Sequence, residues 1–225
     1  MLFPALIGET SSRGPKLTGE RVTLRQPTSR DWRAWAELRH ASRQFLMPWE
    51  PAWPHDALTR AAYRRRLRQQ AAEWRQGLGV TFFIFDRRSE HLLGGISVTN
   101  LRRGVAQTAS LGYWLGERHV GQRVMTEALL LLLDYLFGSL GLHRVEAACL
   151  PHNAASRRLL EKIGFREEGC GRGYLRIAGQ WQDHMLYGLL ADDPRGAASP
   201  AWTPTVADRS LAEPSRIMTA TAAAK

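Results

Sequence analysis

Apolar positions along the chain switch between a period of two and a period near 3.6, and each switch marks an element. Val22-Thr23-Leu24-Arg25 alternates as a half-buried strand does. Asp31 stands where a helix N-cap belongs, and Trp32, Trp35 and Leu38 follow on one face at helical spacing. Residues 47–54 (MPWEPAWP) hold three prolines, which break any helical ladder, so the segment is expected to be an aromatic, proline-stiffened loop between two helices. Residues 56–76 return to helical spacing, with Arg64, Arg65, Arg66 and Arg68 giving a basic run that is most simply a solvated face. Residues 80–85 and 92–101 read as an antiparallel hairpin joined by the polar turn 86–90.

A strand at 110–115 (SLGYWL) then meets the turn 118–123 (RHVGQR), and a long apolar helix follows over 124–137. A strand at 144–150, the segment Pro151-His152-Asn153-Ala154-Ala155-Ser156, a helix from Asn153 to Ile163 and strands at 173–177 and 182–189 complete the pattern. Residues 1–16 are expected to be a loose lead-in, residues 17–191 one domain, and residues 192–225, rich in Ala, Pro, Ser and Thr, a disordered tail. The elements give a mixed α/β sheet with helices on its faces, not a regular βαβ alternation.

The strand–turn–helix at 110–137 carries the first chemical signal. Unpaired backbone N–H groups and the positive end of the helix dipole make such a turn a site for an anion. Gly121 lets the backbone approach closely and Arg118 adds charge, although one glycine before a helix is by itself usually just a turn. Asn153 and Ser156 open the next helix, where their side chains either cap N–H groups or reach a ligand.

Composition narrows the setting. The chain of 225 residues has a formal net charge of +10, nearly all of it from arginine, which suits phosphate and carboxylate partners but also occurs on plain solvated surfaces. Direct nucleic-acid contact is compatible with that charge and not required by it. Two cysteines, Cys149 and Cys170, lack metal-ligand spacing, so a reducing compartment and no metal are expected. The first twelve residues lack a basic segment ahead of an apolar one, and the apolar run 129–133 is too short to span a bilayer. The expected address is cytoplasmic, with no membrane partner.

Leu111-Gly112-Tyr113-Trp114, Met125-Thr126-Glu127-Ala128, residues 142–147 (LHRVEA), residues 151–156 (PHNAAS) and Gly164-Phe165 together resemble the GNAT superfamily of N-acetyltransferases. Within it they are similar to the RimJ/RimL-type ribosomal-protein N-terminal acetyltransferases. The likeness extends to residues 179–184 (GQWQDH) and back to residues 45–49 (FLMPW), covering roughly residues 20 to 190. The resemblance implies a mixed, mostly antiparallel twisted sheet, with the strands at 110–115 and 144–150 splaying apart and helices on both faces. It also implies acetyl-CoA as co-substrate. The superfamily's pyrophosphate loop, Gln/Arg-x-x-Gly-x-Gly/Ala, is matched by Arg118 and Gly121, while Arg123 stands where a small residue is usual. The cofactor contacts so implied are Tyr113, Trp114, Leu115, Arg118, Gly121, Gln122, Arg123, Val124, Met125, Asn153 and Ser156.

By the same resemblance a backbone N–H of the strand at 110–115 is the oxyanion donor, and Ser156 occupies the place of the group that protonates the leaving thiolate. No residue stands out as the base; Glu50, Glu146, Asp183 and His184 are the candidates, with Glu146 carried forward as catalytic. Trp49, Glu50 and Asp183 are expected on the acceptor side. An α-amine, with an ordinary pKa near ~8, needs less help than a lysine amine near ~10.4, which favours a protein N-terminus. The resemblance in turn implies the N-terminal alanine of a ribosomal protein as the acceptor. A small-molecule amine, and a non-enzymatic acyl-CoA- or ribosome-binding module, remain the alternatives.

Overall fold

A computed structural model describes residues 14–196, so the outer parts of the expected lead-in and tail, 1–13 and 197–225, lie outside the described residues. Eight strands form one sheet: β1 (Leu17–Thr18), β2 (Val22–Arg25), β3 (Val80–Asp86), β4 (Leu92–Arg102), β5 (Thr108–Leu115), β6 (Arg144–Cys149), β7 (Arg166–Ile177) and β8 (Gln180–Leu190). Their order is β1-β2-β3-β4-β5-β6-β8-β7. Every neighbouring pair is antiparallel except β5–β6, which is parallel. Five α-helices accompany them: α1 (Trp32–Ala41), α2 (Arg43–Leu46), α3 (Arg60–Arg75), α4 (Val124–Asp134) and α5 (Ala154–Ile163).

Alternation along β3 splits the core in two, because successive side chains leave a strand on opposite faces. Phe82 and Ile84 join Ile96, Leu111, the leucines of α4 and Leu160 of α5. Phe83 and Phe85 join Trp35 and Leu38 of α1 and Tyr63 of α3. With both faces covered, the central strand reads as a continuous apolar run, as 80–85 does. Helix α4 is apolar all round because it is enclosed all round; Leu129 to Leu133 are all buried. Its one early acid, Glu127, reaches the start of β2, where Oε1 accepts from Arg21 N at 2.7 Å and Val22 N at 3.3 Å.

Several sequence expectations are corrected. Asp31 does not cap α1 through its side chain. Its carboxylate turns back to accept from Thr28 N at 2.7 Å, closing a 3-10 turn over Ser29–Asp31, and forms a two-pronged ion pair with Arg25 at 2.7 and 2.8 Å. The proline loop is not wholly irregular: Met47–Trp49 is one 3-10 turn, with Pro48 in its first positions, where a missing N–H removes no hydrogen bond. Helix α3 starts at Arg60, not at 56, because Thr59 caps it, its Oγ1 accepting from Ala62 N at 3.2 Å. Helix α4 passes into a π turn over Tyr135–Ser139 before the chain leaves the layer. β7 is longer than expected, carried through two register shifts. Beyond β8, Asp193 pairs with Arg166 and Gly196 N donates to Ile163 O, so residues 192–196 stay bonded to the domain.

The Arg25–Asp31 pair gives the fold a pH signature. Burial alone would raise the Asp31 carboxyl, but the Arg25 guanidinium and the Thr28 bonds outweigh it and hold it below the usual carboxylate range. A depressed carboxyl stabilises the fold above its unfolded pKa of ~3.9, and that contribution is lost as pH falls through the folded value. Thermal midpoints should therefore drop as the pH is lowered below ~4, and Asp31→Asn should flatten that drop while costing about 1–3 kcal/mol at neutral pH. An unaltered acid limb in the folded variant would remove Asp31 from this role.

Candidate active site

The β5–β6 register ends at Leu111↔Ala147, four residues before β5 does, while β5 stays paired to β4 as far as Leu115↔Gly94. β6 in turn stays paired to β8 through Cys149↔Met185. The two parallel strands thus part into a wedge. Gly116 N donates to Leu93 O at 2.9 Å, which fixes the phase of the β4–β5 ladder. Gly112, Trp114 and Gly116 turn their N–H groups to β4, so those of Tyr113 and Leu115 face the wedge. The wedge belongs to a cleft of about 1110 Å³.

Side chains on β5 divide the cleft into two sides. Tyr113 packs towards α4 and α5, and Trp114 towards α1. The Tyr113 hydroxyl lies 2.6 Å from Ser156 Oγ. Burial pushes the Tyr113 phenol well above its usual pKa, against the opposing pull of the Ser156 bond, so it stays protonated throughout the working range. At the start of α5 the two polar residues take different tasks. Asn153 caps the helix, its Oδ1 accepting from Ser156 N at 3.1 Å, which leaves the Ser156 hydroxyl free to face Tyr113 and Cys149. The buried Cys149 thiol is pushed up by burial, which disfavours a thiolate nucleophile.

The turn before α4 forms the other end of this side. Gly121 has φ +74°, and the space around the Cβ it lacks is open. Arg123, the N-cap of α4, takes the left-handed region at φ 61° and ψ 10°. It therefore turns the chain as the small residue of the superfamily pattern would, at a strain of about 1–2 kcal/mol. Gly121, Arg123, Val124 and Met125 line the cleft; Arg118 and Gln122 do not. Those two brace the turn from behind: Gln122 Nε2 donates to Arg118 O at 2.9 Å and Arg118 Nε to His119 Nε2 at 3.0 Å. Burial and the Arg118 charge hold the His119 imidazole below its usual pKa, so it serves as a neutral acceptor.

The opposite side is roofed by the loop after α2. Phe45, Trp49, Glu50 and Pro51 line the cleft there. Glu50 forms a two-pronged ion pair with Arg39 and accepts from Trp53 Nε1 at 2.7 Å. Arg39 is itself buried between the rings of Trp53 and Trp114, 4.3 and 4.9 Å from their centroids. Trp49 meets the His152 ring at 5.4 Å, and Ala178 N donates to Glu50 O at 3.0 Å, so the roof rests on the β6–α5 turn and on the β7–β8 hairpin.

The four candidate bases are dispersed. Glu50 is held in the roof as just described. Glu146 lines the cleft where β5 and β6 still pair, bonded to Arg144 at 3.0 Å and near Arg102 at 3.8 Å. Asp183 lies outside the cleft lining and accepts from Gly173 N at 2.7 Å. His184 lines the cleft but is buried, with Nδ1 3.0 Å from Gln182 O. Sequence reasoning missed Arg39, Arg158 and the hairpin residues Tyr174 and Leu175 as parts of the cleft and its frame. Arg39 had a signal, an arginine on the face that α1 buries through Trp35 and Leu38. Among the described residues no helix is long and apolar enough to cross a membrane, and no cluster of three or more His, Cys, Asp or Glu side chains is placed to hold a metal.

Comparison with known proteins agrees with this geometry. The acetyltransferase (GNAT) domain family matches residues 21–166. The [ribosomal protein uS5]-alanine N-acetyltransferase of Escherichia coli is 34% identical over 190 residues, 84% of this chain and 93% of that protein. The probable N-acetyltransferase YjcK of Bacillus subtilis is also 34% identical, over 79% of this chain and 98% of its own. Among solved structures, the ribosomal-protein-S5-alanine acetyltransferase of Vibrio fischeri superposes with a TM-score of 0.74 at 30% identity, covering 80% of this chain and 98% of that one. Mycobacterium smegmatis RimJ, solved in complex with CoA-disulfide, gives 0.72 at 33% identity, over 80% of this chain and 87% of its own. Wedge, turn, capped helix and family match converge, and the chain belongs to the GNAT family of acetyltransferases.

Proposed function

We propose that the protein transfers acetyl from acetyl-CoA to the N-terminal α-amine of a ribosomal protein, with alanine as the preferred first residue and the cytoplasm as the place of action. The observation that carries the reading is the wedge: two backbone amides, at Tyr113 and Leu115, face a cleft with a hydroxyl pair on one side and an aromatic roof on the other. The names of the similar proteins, acetyltransferases of ribosomal-protein alanine, support the acceptor. The CoA-disulfide complex of the Mycobacterium smegmatis relative supports the cofactor.

In this reading the pyrophosphate sits at Gly121–Met125, where the helix dipole and open N–H groups favour an anion, and the pantetheine arm lies along the splayed strands. The amine attacks the thioester carbonyl, forming C–N as C–S breaks. The developing oxyanion accepts from a wedge-facing amide of β5. Ser156 gives its proton to the departing thiolate and regains one from the cleft water that takes the amine proton, while Tyr113, which burial keeps protonated, donates to Ser156 Oγ and holds it in place. The attacking nitrogen loses its proton to water in the cleft. An α-amine near ~8 is partly neutral already, so this step asks for no strong base. In this reading Glu146, bonded to Arg144 and near Arg102, polarises that water and does not touch the amine.

Two measurements test the chemistry and the acceptor separately. Ser156→Ala should lower kcat by about 10–100-fold with the KM for acetyl-CoA little changed, because the contact strengthens as charge develops on sulfur. Tyr113→Phe should give a smaller loss of the same kind. Loss of thermal stability with full activity in both folded variants would leave the pair a packing feature. For the acceptor, peptides headed by Ala, Ser and Lys, analysed by mass spectrometry for the site of acetylation, should be modified at the α-amine, with Ala first. Glu50→Gln and Trp49→Ala should raise the peptide KM more than that for acetyl-CoA. Acetylation of the lysine side chain in preference to any α-amine would overturn the acceptor.

A further inference from the structure

Helix α3 carries a chemical surface that the acetyl-transfer cleft does not use. Its sequence holds six arginines and one acid, Glu73. Tyr63 buries one side of the helix against Trp35, with ring centroids 5.0 Å apart, which turns the other side outward. Arg60, Arg64 and Arg68 recur every fourth residue, and Arg75 falls in the same arc, so all four lie within about 80° of one another over ~22 Å of helix. All four are exposed, and none forms an ion pair among the described residues. The nearby acids are already engaged: Glu73 accepts from Gln69 and Asp56 from Arg65.

At the N-terminal end of this strip lies a second, smaller cleft of about 270 Å³, lined by Ser29, Arg30, Trp32, Arg33 and Arg60. It offers three guanidinium groups, one hydroxyl and an indole face, with no carboxylate in its lining. The Arg60 guanidinium lies 5.9 Å from the Trp32 ring, and the indole N–H is spent on Leu58 O at 3.0 Å, so the ring presents only its π surface. Arg30 and Arg33 are exposed and, like Arg60, without an acidic partner among the described residues. Six guanidinium groups without an acidic partner thus form one strip, three of them around the small cleft and the rest along α3. Their planar forks match phosphate oxygens, and an aromatic face beside them accepts a stacked base or a sugar.

We propose that this strip binds the phosphodiester backbone of RNA and holds the enzyme on a ribonucleoprotein while the cleft works on a protein N-terminus. The choice of RNA rests on the reading of the acceptor as a ribosomal protein; the strip's affinity for a phosphodiester chain does not. An anionic membrane fits less well, because surface-binding helices set apolar side chains beside their basic ones. None of the large exposed apolar residues of the described chain falls within α3; the nearest in sequence, Leu78, lies just beyond its C-terminal end.

The test is fluorescence anisotropy of the full chain with a labelled RNA hairpin across a salt series, beside vesicles of phosphatidylserine and phosphatidylcholine. Each phosphate contact adds about 0.7–0.9 to the slope of log affinity against log salt. The triple variant Arg60→Gln, Arg64→Gln, Arg68→Gln should lower that slope by about 2–3 and weaken RNA binding by ~10–100-fold at physiological salt. Its thermal midpoint and its turnover of a free Ala-headed peptide should match the unaltered protein. If slope and affinity are the same in the triple variant, the proposal is wrong. It is equally wrong if the vesicles, and not the RNA, are bound in an arginine-dependent way. Should RNA binding fall as expected while no N-terminal peptide is acetylated, the surface stands and the acceptor reading alone fails.

Discussion

Everything in the cleft depends on a parallel strand pair that stops early. β5 and β6 exchange hydrogen bonds only as far as Leu111 and Ala147. Left to themselves, the next residues would zip together, since each buried amide without a partner costs about 1–3 kcal/mol. They stay apart because each strand is held from its outer edge, β5 by β4 through Leu115 and β6 by β8 through Cys149. On the face that α4 and α5 cover, Ser156 meets the Tyr113 hydroxyl. The open amides are thereby built into the sheet. A ligand that satisfies them recovers hydrogen bonds that the fold has left unmade.

The roof of the cleft and the anion-binding turn are fixed to one another as well as to the sheet. Ser42, at the junction of α1 and α2, accepts through Oγ from Glu117 N at 3.0 Å, directly before the turn that leads to α4. Gly116 lies so close against Leu38 of α1 that a side chain there would collide with it. Arg39, one residue on, anchors Glu50 and so the proline loop. One short helix therefore positions the two walls that the proposed cofactor and acceptor would occupy. Such buried ion pairs contribute orientation more than net stability, since burial of both charges offsets much of their attraction.

Much of this frame was legible in the chain. The apolar runs at 80–85 and 124–134, the glycine turn at 121 and the capping segment at 153–156 each point to the element found, because each encodes a local requirement. What was not legible depends on residues far apart in sequence. Asp31 looks like a helix cap, but the Arg25 side chain, arriving from β2, claims its carboxylate. Glu50 looks like a free acid in an exposed loop, but Arg39 and Trp53 hold it. Arg123 breaks the superfamily's small-residue pattern, yet its backbone adopts the left-handed turn that pattern serves. The wedge itself has no signature in β5 alone, because its cause is the pairing of β5 with β4 and of β6 with β8 at their outer edges.

The proposed chemistry depends on the two wedge-facing amides, and amide hydrogen exchange followed residue by residue reads them directly. In the free protein, Tyr113 and Leu115 should exchange much faster than Gly112 and Trp114, although all four lie within one strand. Saturating acetyl-CoA should slow the first two markedly and leave the second two as they were. Equal protection of all four amides in the free protein, or no response of Tyr113 and Leu115 to acetyl-CoA, would contradict the account.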